Sequence, residues 1–283
     1  MAGQSPGGPS VLRRLNNRIT KVIGLWSERF CYRPSRLRAA AAVSRVVVGQ
    51  IERHYPRLPV FLTPNGVDAG RFSADEESRR SLRSTEAIGD EEVIVLFVGG
   101  WWDHKGLTFA IQGLRHAVEA GVPSLRLWVV GRGDPQPYVE LAGRLRVADR
   151  VRFFGFRRDT ESFYQAADLL VLPSVYEASP LVVYEAAGSG LPVAATRVSG
   201  ADVLEHEKTG LIIDRDEEMV GEAMARLASD PTLRRRLGDA ARSRVRELTW
   251  DASAASVLSV YRMLLPVGPP GTAPSVGVTQ PSR

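Results

Sequence analysis

The sequence predicts an α/β protein whose main domain is a parallel β-sheet with helices on both faces. From residue 91 onward, short apolar runs alternate with segments in which apolar residues recur at helical spacing. The runs are apolar throughout, which is typical of strands buried on both faces. Most of them end in a glycine or proline turn, and a repeated order of strand, turn and helix is the pattern of a parallel sheet.

The elements of this domain are assigned in order along the chain. Strands are predicted at residues 93–98, 125–130, 151–154, 169–172, 193–196 and 211–213. Helices are predicted at residues 108–120, 139–147, 162–167, 181–187, 217–228, 232–247 and 252–264. Sheets of this kind bind ligands at the carboxyl ends of their strands, which is where the glycines fall. A binding site is therefore expected at that edge.

The first 63 residues predict less regular structure. Residues 11–30 have one apolar and one basic face at helical spacing, so a helix is expected there. Residues 46–48 and 60–62 are short apolar runs that predict strands. Pro64-Asn65-Gly66 then indicates a turn or linker. These elements are too few for a doubly wound sheet of their own.

Composition and charge exclude several classes of protein. Of the 283 residues, 44% are hydrophobic and 24% charged, which is ordinary for a globular protein. No apolar run approaches the roughly 18 residues that span a bilayer, and no signal-peptide pattern opens the chain, so a cytoplasmic protein is expected. The first 60 residues hold eleven arginines and lysines against two acidic residues, so the excess positive charge lies outside the main domain. A nucleic-acid partner is therefore not expected.

Side chains that bind metals are sparse. Cys31 is the only cysteine, so neither a disulfide nor a thiolate cluster can form within the chain. The histidines are scattered, at His54, His104, His116 and His206. Asp214 and Asp216 form an Asp-x-Asp pair, but they lie between a strand and a helix, where helix capping explains them. Neither a metal nor another cofactor is predicted.

The strongest local signal is a pair of glutamates after the fourth predicted strand. Glu177 lies in the strand-to-helix loop, and Glu185 follows eight positions later, two turns into the helix. Pro180 suits the first turn of that helix, so the amides of Leu181 and Val182 would be N-terminal donors beside the positive end of the helix dipole. A diphosphate fits such a position, with one carboxylate at a sugar and the other at a ribose.

This stretch resembles the Glu-x7-Glu signature of family 4 glycosyltransferases, which are retaining enzymes of the GT-B fold. The resemblance extends through the small-residue turn and the Leu191-Pro192-Val193 segment that follow. It implies that Glu177 faces the donor sugar and that Glu185 hydrogen-bonds the ribose of a nucleotide-sugar. The common Gly-Phe-Gly after the first glutamate is Ala178-Ser179-Pro180 in this chain.

A second motif resembles the donor-phosphate loop of the same family. Gly99 and Gly100 follow the first strand of the main domain, and Lys105 precedes the start of a helix. The resemblance implies that Lys105 meets the diphosphate, whose departure needs positive charge at the leaving oxygens. Lys105 and Glu177 are thus the predicted catalytic residues. Many relatives have an arginine after the glycine turn or beside the lysine, where this chain has Gly100-Trp101 and His104.

Two other glycine turns are weaker signals. Gly155-Phe156-Arg157 follows the third strand of the main domain, and in the family this turn contacts the nucleotide base, largely through its backbone. The alternative is an ordinary turn with exposed arginines. Gly131-Arg132-Gly133 hints at a dinucleotide fingerprint, but Gln136 occupies the third glycine position and a lone Gly-x-Gly is a weak signal.

The resemblance spans roughly residues 39–265 and implies a domain plan. Residues 91–265 would be the Rossmann-like, nucleotide-sugar-binding C-terminal domain of a GT-B protein. Residues 64–90 would be the linker, and residues 11–63 a remnant of the N-terminal acceptor domain. Residues 1–10 and 266–283 are rich in glycine, proline and serine and are expected to be disordered.

The implied function is metal-independent transfer of a sugar from a nucleotide-sugar to an acceptor with retention of configuration. Two alternatives stay open. One is a catalytically silent nucleotide-sugar-binding or regulatory module. The other is a GT-B sugar-nucleotide epimerase, which the flanks of Glu177 and Glu185 fit less well.

The incomplete acceptor domain leads to a prediction about partners. The chain is expected to need an acceptor-domain partner chain, or to be a truncated form of a longer product. The apolar face of the helix at residues 11–30 is expected to be covered by such a partner, by a second copy, or by an anionic membrane surface as a peripheral contact.

Overall fold

The computed structural model describes residues 11–33, 35–197, 200 and 202–265. The predictions of disorder for residues 1–10 and 266–283 lie outside the described residues. Within the described part of the chain, no helix is both long enough and apolar enough to cross a membrane.

The N-terminal unit contains two helices and two short strands among the described residues: α1 (Val11–Cys31), β1 (Ala40–Ala42), α2 (Arg45–His54) and β2 (Val60–Leu62). The predictions of a helix at 11–30 and a strand at 60–62 are confirmed. β1 was not predicted from the sequence, because alanine has a low strand propensity. It pairs in parallel with β2, with Ala40 opposite Val60.

The predicted strand at residues 46–48 is wrong, since these residues form the first turns of α2. Ser44 caps this helix, and its hydroxyl oxygen accepts a hydrogen bond from the amide of Val47 at 3.4 Å. A run of three valines does not distinguish a strand from a helix by its periodicity, and the serine cap in front of it favours the helix.

The range predicted as a linker, residues 64–90, contains a further helix, α3 (Glu76–Thr85). It has almost no apolar residues, so it shows no apolar periodicity in the sequence. Arg79 and Arg83 on this helix reach the two carboxylate oxygens of Asp168, at 2.6 and 3.1 Å. Asp168 also accepts a hydrogen bond from the amide of Ile94 at 2.7 Å. These bonds attach α3 to the main sheet.

The main sheet confirms the predicted α/β class. Its strands in the described residues are β3 (Val93–Val98), β4 (Leu125–Val130), β5 (Val151–Gly155), β6 (Leu169–Leu172), β7 (Val193–Thr196) and β8 (Leu211–Ile213). They lie in the order β5-β4-β3-β6-β7-β8, and every neighbouring pair is parallel. The six predicted strands are confirmed to within one residue.

The helices of the main domain connect or follow these strands: α4 (Trp102–Lys105), α5 (Leu107–Glu119), α6 (Gln136–Arg144), α7 (Thr160–Ala166), α8 (Leu181–Gly188), α9 (Glu217–Ser229), α10 (Pro231–Val245) and α11 (Trp250–Leu264). The predicted helix at 139–147 is displaced towards the N-terminus. It begins earlier because Pro137 suits its first turn. It ends earlier because Arg146 has a φ of 58°, outside the helical region.

The sheet is buried on both faces, as its wholly apolar strands predict. In β3, Val95 and Phe97 pack into the core on one face, and Ile94 and Leu96 into the core on the other. All four side chains are fully buried. This rigid double layer fixes the loops at the carboxyl ends of the strands, which is where the candidate site lies.

Candidate functional site

The order of the strands defines a crevice between the loops that follow β3 and β6. These two strands are neighbours, with Val95 opposite Leu169. β4 and β5 lie on one side of them, and β7 and β8 on the other. A parallel sheet binds its ligands at such a reversal of strand order, because the two loops diverge there. The predicted residues Lys105 and Glu177 lie in or beside these loops.

Lys105 and Glu177 are in direct contact across the crevice. The ammonium group of Lys105 donates to Oε1 of Glu177 at 2.7 Å, and each side chain is 17% exposed. Ser174 donates to the same carboxylate oxygen at 2.8 Å. The pair is therefore held near the end of α4 and in the loop before α8, and it remains accessible to a ligand.

The glycine turns allow close approach between neighbouring loops. Gly99 has a φ of 134°, and a Cβ added to it would lie 2.6 Å from Cε of Lys105. Gly131 has a φ of 142°, and a Cβ there would lie 1.9 Å from the carbonyl oxygen of Gly99. Gly106, with a φ of 83°, approaches the carbonyl oxygen of Pro173 in the same way. Side chains at these positions would push the loops apart.

Glu185 is the fifth residue of α8 and bonds to a residue that the sequence did not identify. The hydroxyl of Tyr164 donates to its Oε2 at 2.6 Å. Burial raises the pKa of Glu185, although the Tyr164 bond and the charges of Arg71 and Lys105 act in the opposite direction. Burial also raises the pKa of Tyr164 well above its ordinary value, and the neighbouring carboxylate adds to the effect. Tyr164 therefore stays a hydrogen-bond donor at neutral pH.

Helix α8 begins at Leu181, where the sequence predicted its start. Pro180 precedes it and supplies no side-chain cap. Leu181 is exposed and Val182 is half-buried. The first amides of a helix carry partial positive charge, and here they lie next to the loop that holds Glu177.

The remaining predicted residues except Gly155 line one cavity of about 540 Å³, here called the Phe156 cavity. Its lining includes Gly99, Gly100, Gly131, Arg132, Phe156 and Arg157. The guanidinium of Arg132 lies 4.3 Å from the centre of the Phe156 ring. Gly155 adjoins this group, because its carbonyl accepts a hydrogen bond from the amide of Gly131 at 2.8 Å. Gly131 belongs to a turn that was only a weak signal in the sequence, but in the structure it lines the cavity.

A larger cavity of about 750 Å³ lies beside it, between α4 and α6. Trp101, Trp102, Tyr138 and Arg144 contribute to its lining, and it shares Arg132 with the Phe156 cavity. It includes none of Lys105, Glu177 and Glu185. The larger cavity is therefore not the place where these three charged residues lie.

Asp216, the second acidic residue after β8, has a structural role. Oδ1 of Asp216 accepts from the amides of Glu218 and Met219 at 3.0 and 3.2 Å, so this residue caps α9 as predicted. Within the residues that the structure describes, no group of three or more histidine, cysteine or acidic side chains is arranged to hold a metal ion.

Four contributing residues escaped the sequence analysis: Arg71, Arg132, Tyr164 and Ser174. Ser174 lies three residues before Glu177, so its proximity was available from the sequence. Arg71 and Tyr164 lie far from the glutamates in sequence and have no local signal. They reach Glu185 only through the tertiary fold.

The parallel sheet and its helices have the fold of a domain of GT-B proteins, and comparisons with known proteins agree. Residues 92–230 match the family model for glycosyl transferases group 1. An uncharacterized glycosyltransferase of Methanocaldococcus jannaschii is 30% identical over 74% of this chain and 55% of its own length. A D-inositol 3-phosphate glycosyltransferase of Corynebacterium diphtheriae is 34% identical over 74% of this chain and 52% of its own length.

A solved structure supports the same assignment. The sucrose-phosphate synthase of Thermosynechococcus elongatus superposes with a TM-score of 0.70 and 30% identity, over 79% of this chain and 57% of that one. Residues 92–230 are therefore a group 1 glycosyltransferase domain. The chain spans about half the length of the curated relatives described above.

Proposed function

We propose that this chain binds a nucleotide-sugar and transfers its sugar to an acceptor with retention of configuration, as a member of family 4. The observation that carries the proposal is the contact of Lys105 with Glu177 at the strand-order reversal, with Glu185 on the helix that follows the Glu177 loop. Positive charge, a helix N-terminus and two carboxylates are thereby brought to one crevice.

Each part of the donor has a complementary group in this arrangement. The diphosphate would lie between Lys105 and the first turn of α8, where positive charge and helix amides converge. The ribose would bond to Glu185, and the base would enter the Phe156 cavity. The sugar would then lie at Glu177.

The chemistry follows from these positions. The bond from the anomeric carbon to the leaving phosphate breaks with negative charge building up on the diphosphate, which Lys105 and the α8 dipole stabilise. The acceptor oxygen forms its bond to the anomeric carbon on the face that the diphosphate leaves, and an oxygen of the leaving phosphate takes the acceptor proton, so configuration is retained. Glu177, whose Oε1 accepts a hydrogen bond from Ser174, orients the sugar in this proposal and is not a covalent nucleophile.

The reaction is proposed to need no divalent metal, because Lys105 and the helix amides supply the charge that a metal would otherwise supply. EDTA should leave the affinity for the donor unchanged. A loss of binding in EDTA that Mg²⁺ or Mn²⁺ restores would contradict this part of the proposal.

A second candidate function is a nucleotide-sugar-binding module without transfer. The observation that favours it is the Gly99-Gly100 turn, which offers no side-chain cation beside Lys105. For transfer, the acceptor would be bound by a second Rossmann-like domain, of which residues 11–63 are proposed to be a remnant. That domain could come from a partner chain.

Product formation distinguishes the two functions. The intact chain would be incubated with UDP-, GDP- and ADP-sugars, lipid or glycan acceptors, and the N-terminal domain of a related glycosyltransferase added as a separate chain. A glycosylated product that disappears in Glu177→Ala supports transfer. Saturable donor binding without product under all these conditions would favour the silent module.

A further inference from the structure

A buried serine of the N-terminal unit bonds to the loop that carries Glu177. Ser44, the cap of α2, is fully buried. Its hydroxyl donates to the carbonyl oxygen of Ala178 at 2.5 Å and accepts from the amide of Val47 at 3.4 Å. These residues are 134 positions apart, and Ala178 directly follows Glu177. A residue of the N-terminal unit thus holds the backbone beside a donor-binding carboxylate.

Two more bonds join α2 to the same part of the main domain. The hydroxyl of Tyr176, on the other side of Glu177, donates to Oε1 of Gln50 at 3.1 Å. The amide of Arg45 donates to Oδ2 of Asp202 at 2.7 Å. Both chain neighbours of Glu177 are therefore bonded to α2.

The opposite side of the loop is also restrained. A ring nitrogen of His104 bonds to the carbonyl oxygen of Tyr176 at 2.8 Å, and the amide of Gly200 donates to the carbonyl oxygen of Glu177 at 3.0 Å. A Cβ on Gly200 would lie 2.1 Å from the carbonyl oxygen of Ala178 and 2.9 Å from Oγ of Ser44. The loop is thus bonded to His104 of α4 on one side and to the N-terminal unit on the other.

We infer that Ser44 is a positioning residue for the donor sugar, acting through the backbone of the Glu177 loop. The inference rests on the proposed function. It makes residues 40–62 part of donor recognition as well as a remnant of an acceptor domain. In the described part of the chain, the bonds that hold Glu185 come from α7, and the Phe156 cavity is lined by loops of the main domain. The nucleotide is therefore recognised independently of Ser44.

This separation gives a readout that a purely structural role would not change. Calorimetry would compare UDP with UDP-glucose, GDP with GDP-mannose and ADP with ADP-glucose on the intact chain. For the pair that the wild type binds, Ser44→Ala should weaken the affinity for the sugar conjugate by about fivefold to tenfold. The affinity for the free diphosphate should stay unchanged. Tyr176→Phe, a substitution at an exposed residue, should weaken the conjugate in the same selective way but less.

Thr249→Ala is the matched control. Thr249 also caps a helix, since it accepts from the amide of Ala252 at 3.1 Å, but it belongs to α11. It should change neither affinity. Equal losses for diphosphate and conjugate in Ser44→Ala and Tyr176→Phe, or no loss in either, would overturn the role of Ser44 and leave the proposed function standing. If the wild type bound none of the six compounds, the proposed function itself would fail.

Discussion

The ammonium group of Lys105 lies 2.7 Å from Oε1 of Glu177, so an ion pair joins the loop after β3 to the loop after β6. Both side chains retain some solvent exposure. In the proposed donor complex, Lys105 turns to the diphosphate, and the carboxylate oxygen that it leaves becomes available to the sugar. In that proposed complex, one loop would contact the diphosphate and the other the sugar.

Replacing Lys105 with methionine should weaken nucleoside diphosphate binding by about tenfold to a hundredfold, because a charge-assisted contact is lost. Lys208→Met is the matched control, since Lys208 is exposed and pairs only at the surface with Glu205 at 3.0 Å. Its affinity should equal that of the wild type. Comparable affinities for both variants in a calorimetric titration would show that Lys105 does not meet the diphosphate.

Glu185 should make stability depend on pH in an unusual direction. Burial raises the pKa of Glu185 in the folded protein above the ordinary value of 4.5. At a pH between these two pKa values, Glu185 is protonated in the folded protein and ionised in the unfolded chain. The free energy of unfolding contributed by this group is therefore largest below pH 4.5 and falls as pH rises through the folded pKa. Chemical denaturation at several pH values should show Glu185→Gln gaining stability over the wild type as pH rises.

Tyr164→Phe tests the cause of that pKa. The Tyr164 bond lowers the pKa of Glu185 against the effect of burial. Removing the hydroxyl should raise the pKa further and extend the fall in stability to higher pH. A Glu185→Gln difference that is constant across pH, or that shrinks as pH rises, would mean that the carboxylate is not held in a desolvated position.

The sequence predicted most of the main domain because its strands are buried on both faces. Continuous apolar runs such as residues 169–172 have clear ends, and the structure places strands there. The N-terminal unit was harder to predict. Val46 to Val48 fit a strand locally, but the Ser44 cap makes them a helix, and Ala40–Ala42 forms a strand only because Val60–Leu62 lies beside it.

The candidate site was predictable to the extent that it is local in sequence. Glu177 and Glu185 are eight residues apart in a strand–loop–helix segment, so their spacing indicated a common crevice. Tyr164 and Ser44 reach the same crevice from 21 and 134 residues away from their partners. Only the packing of α7 and α2 brings them there, and no pattern in the sequence predicts that packing.

Gly131 offers a test of the close approach between the loops after β3 and β4. Gly131→Ala should destabilise the protein by about 2–4 kcal/mol and abolish donor binding, because its Cβ would overlap the carbonyl oxygen of Gly99. Gly121→Ala is the control, since Gly121 also has positive φ, 97°, but has no atom within 4 Å of an added Cβ. It should cost about 1–2 kcal/mol of conformational strain and preserve binding.

Equal losses of unfolding free energy in the two glycine variants would show that positive φ alone accounts for the effect. The contact between the Gly99 and Gly131 turns would then not be required for the site.

Helix α1 exposes an apolar face with basic neighbours. Ile19, Ile23 and Trp26 are 49%, 58% and 66% exposed, and Arg18 and Lys21 are exposed on the same helix. Deleting residues 1–38 should give a more soluble, monomeric protein that still binds nucleotide, because an uncovered apolar face promotes association. Analytical ultracentrifugation and calorimetry measure the two properties. Unfolding of the shortened chain would show that the helix stabilises the fold.

The crevice between the loops after β3 and β6 is proposed to bind a nucleoside diphosphate with Glu185 at its ribose. Calorimetric titration of the intact chain with UDP, GDP, ADP and their sugar conjugates tests it most directly. At least one compound should bind saturably at one site per chain, and Glu185→Ala should weaken it by about 1–3 kcal/mol. Saturable binding of none of them, with or without Mg²⁺, or an affinity that Glu185→Ala leaves unchanged, would contradict it.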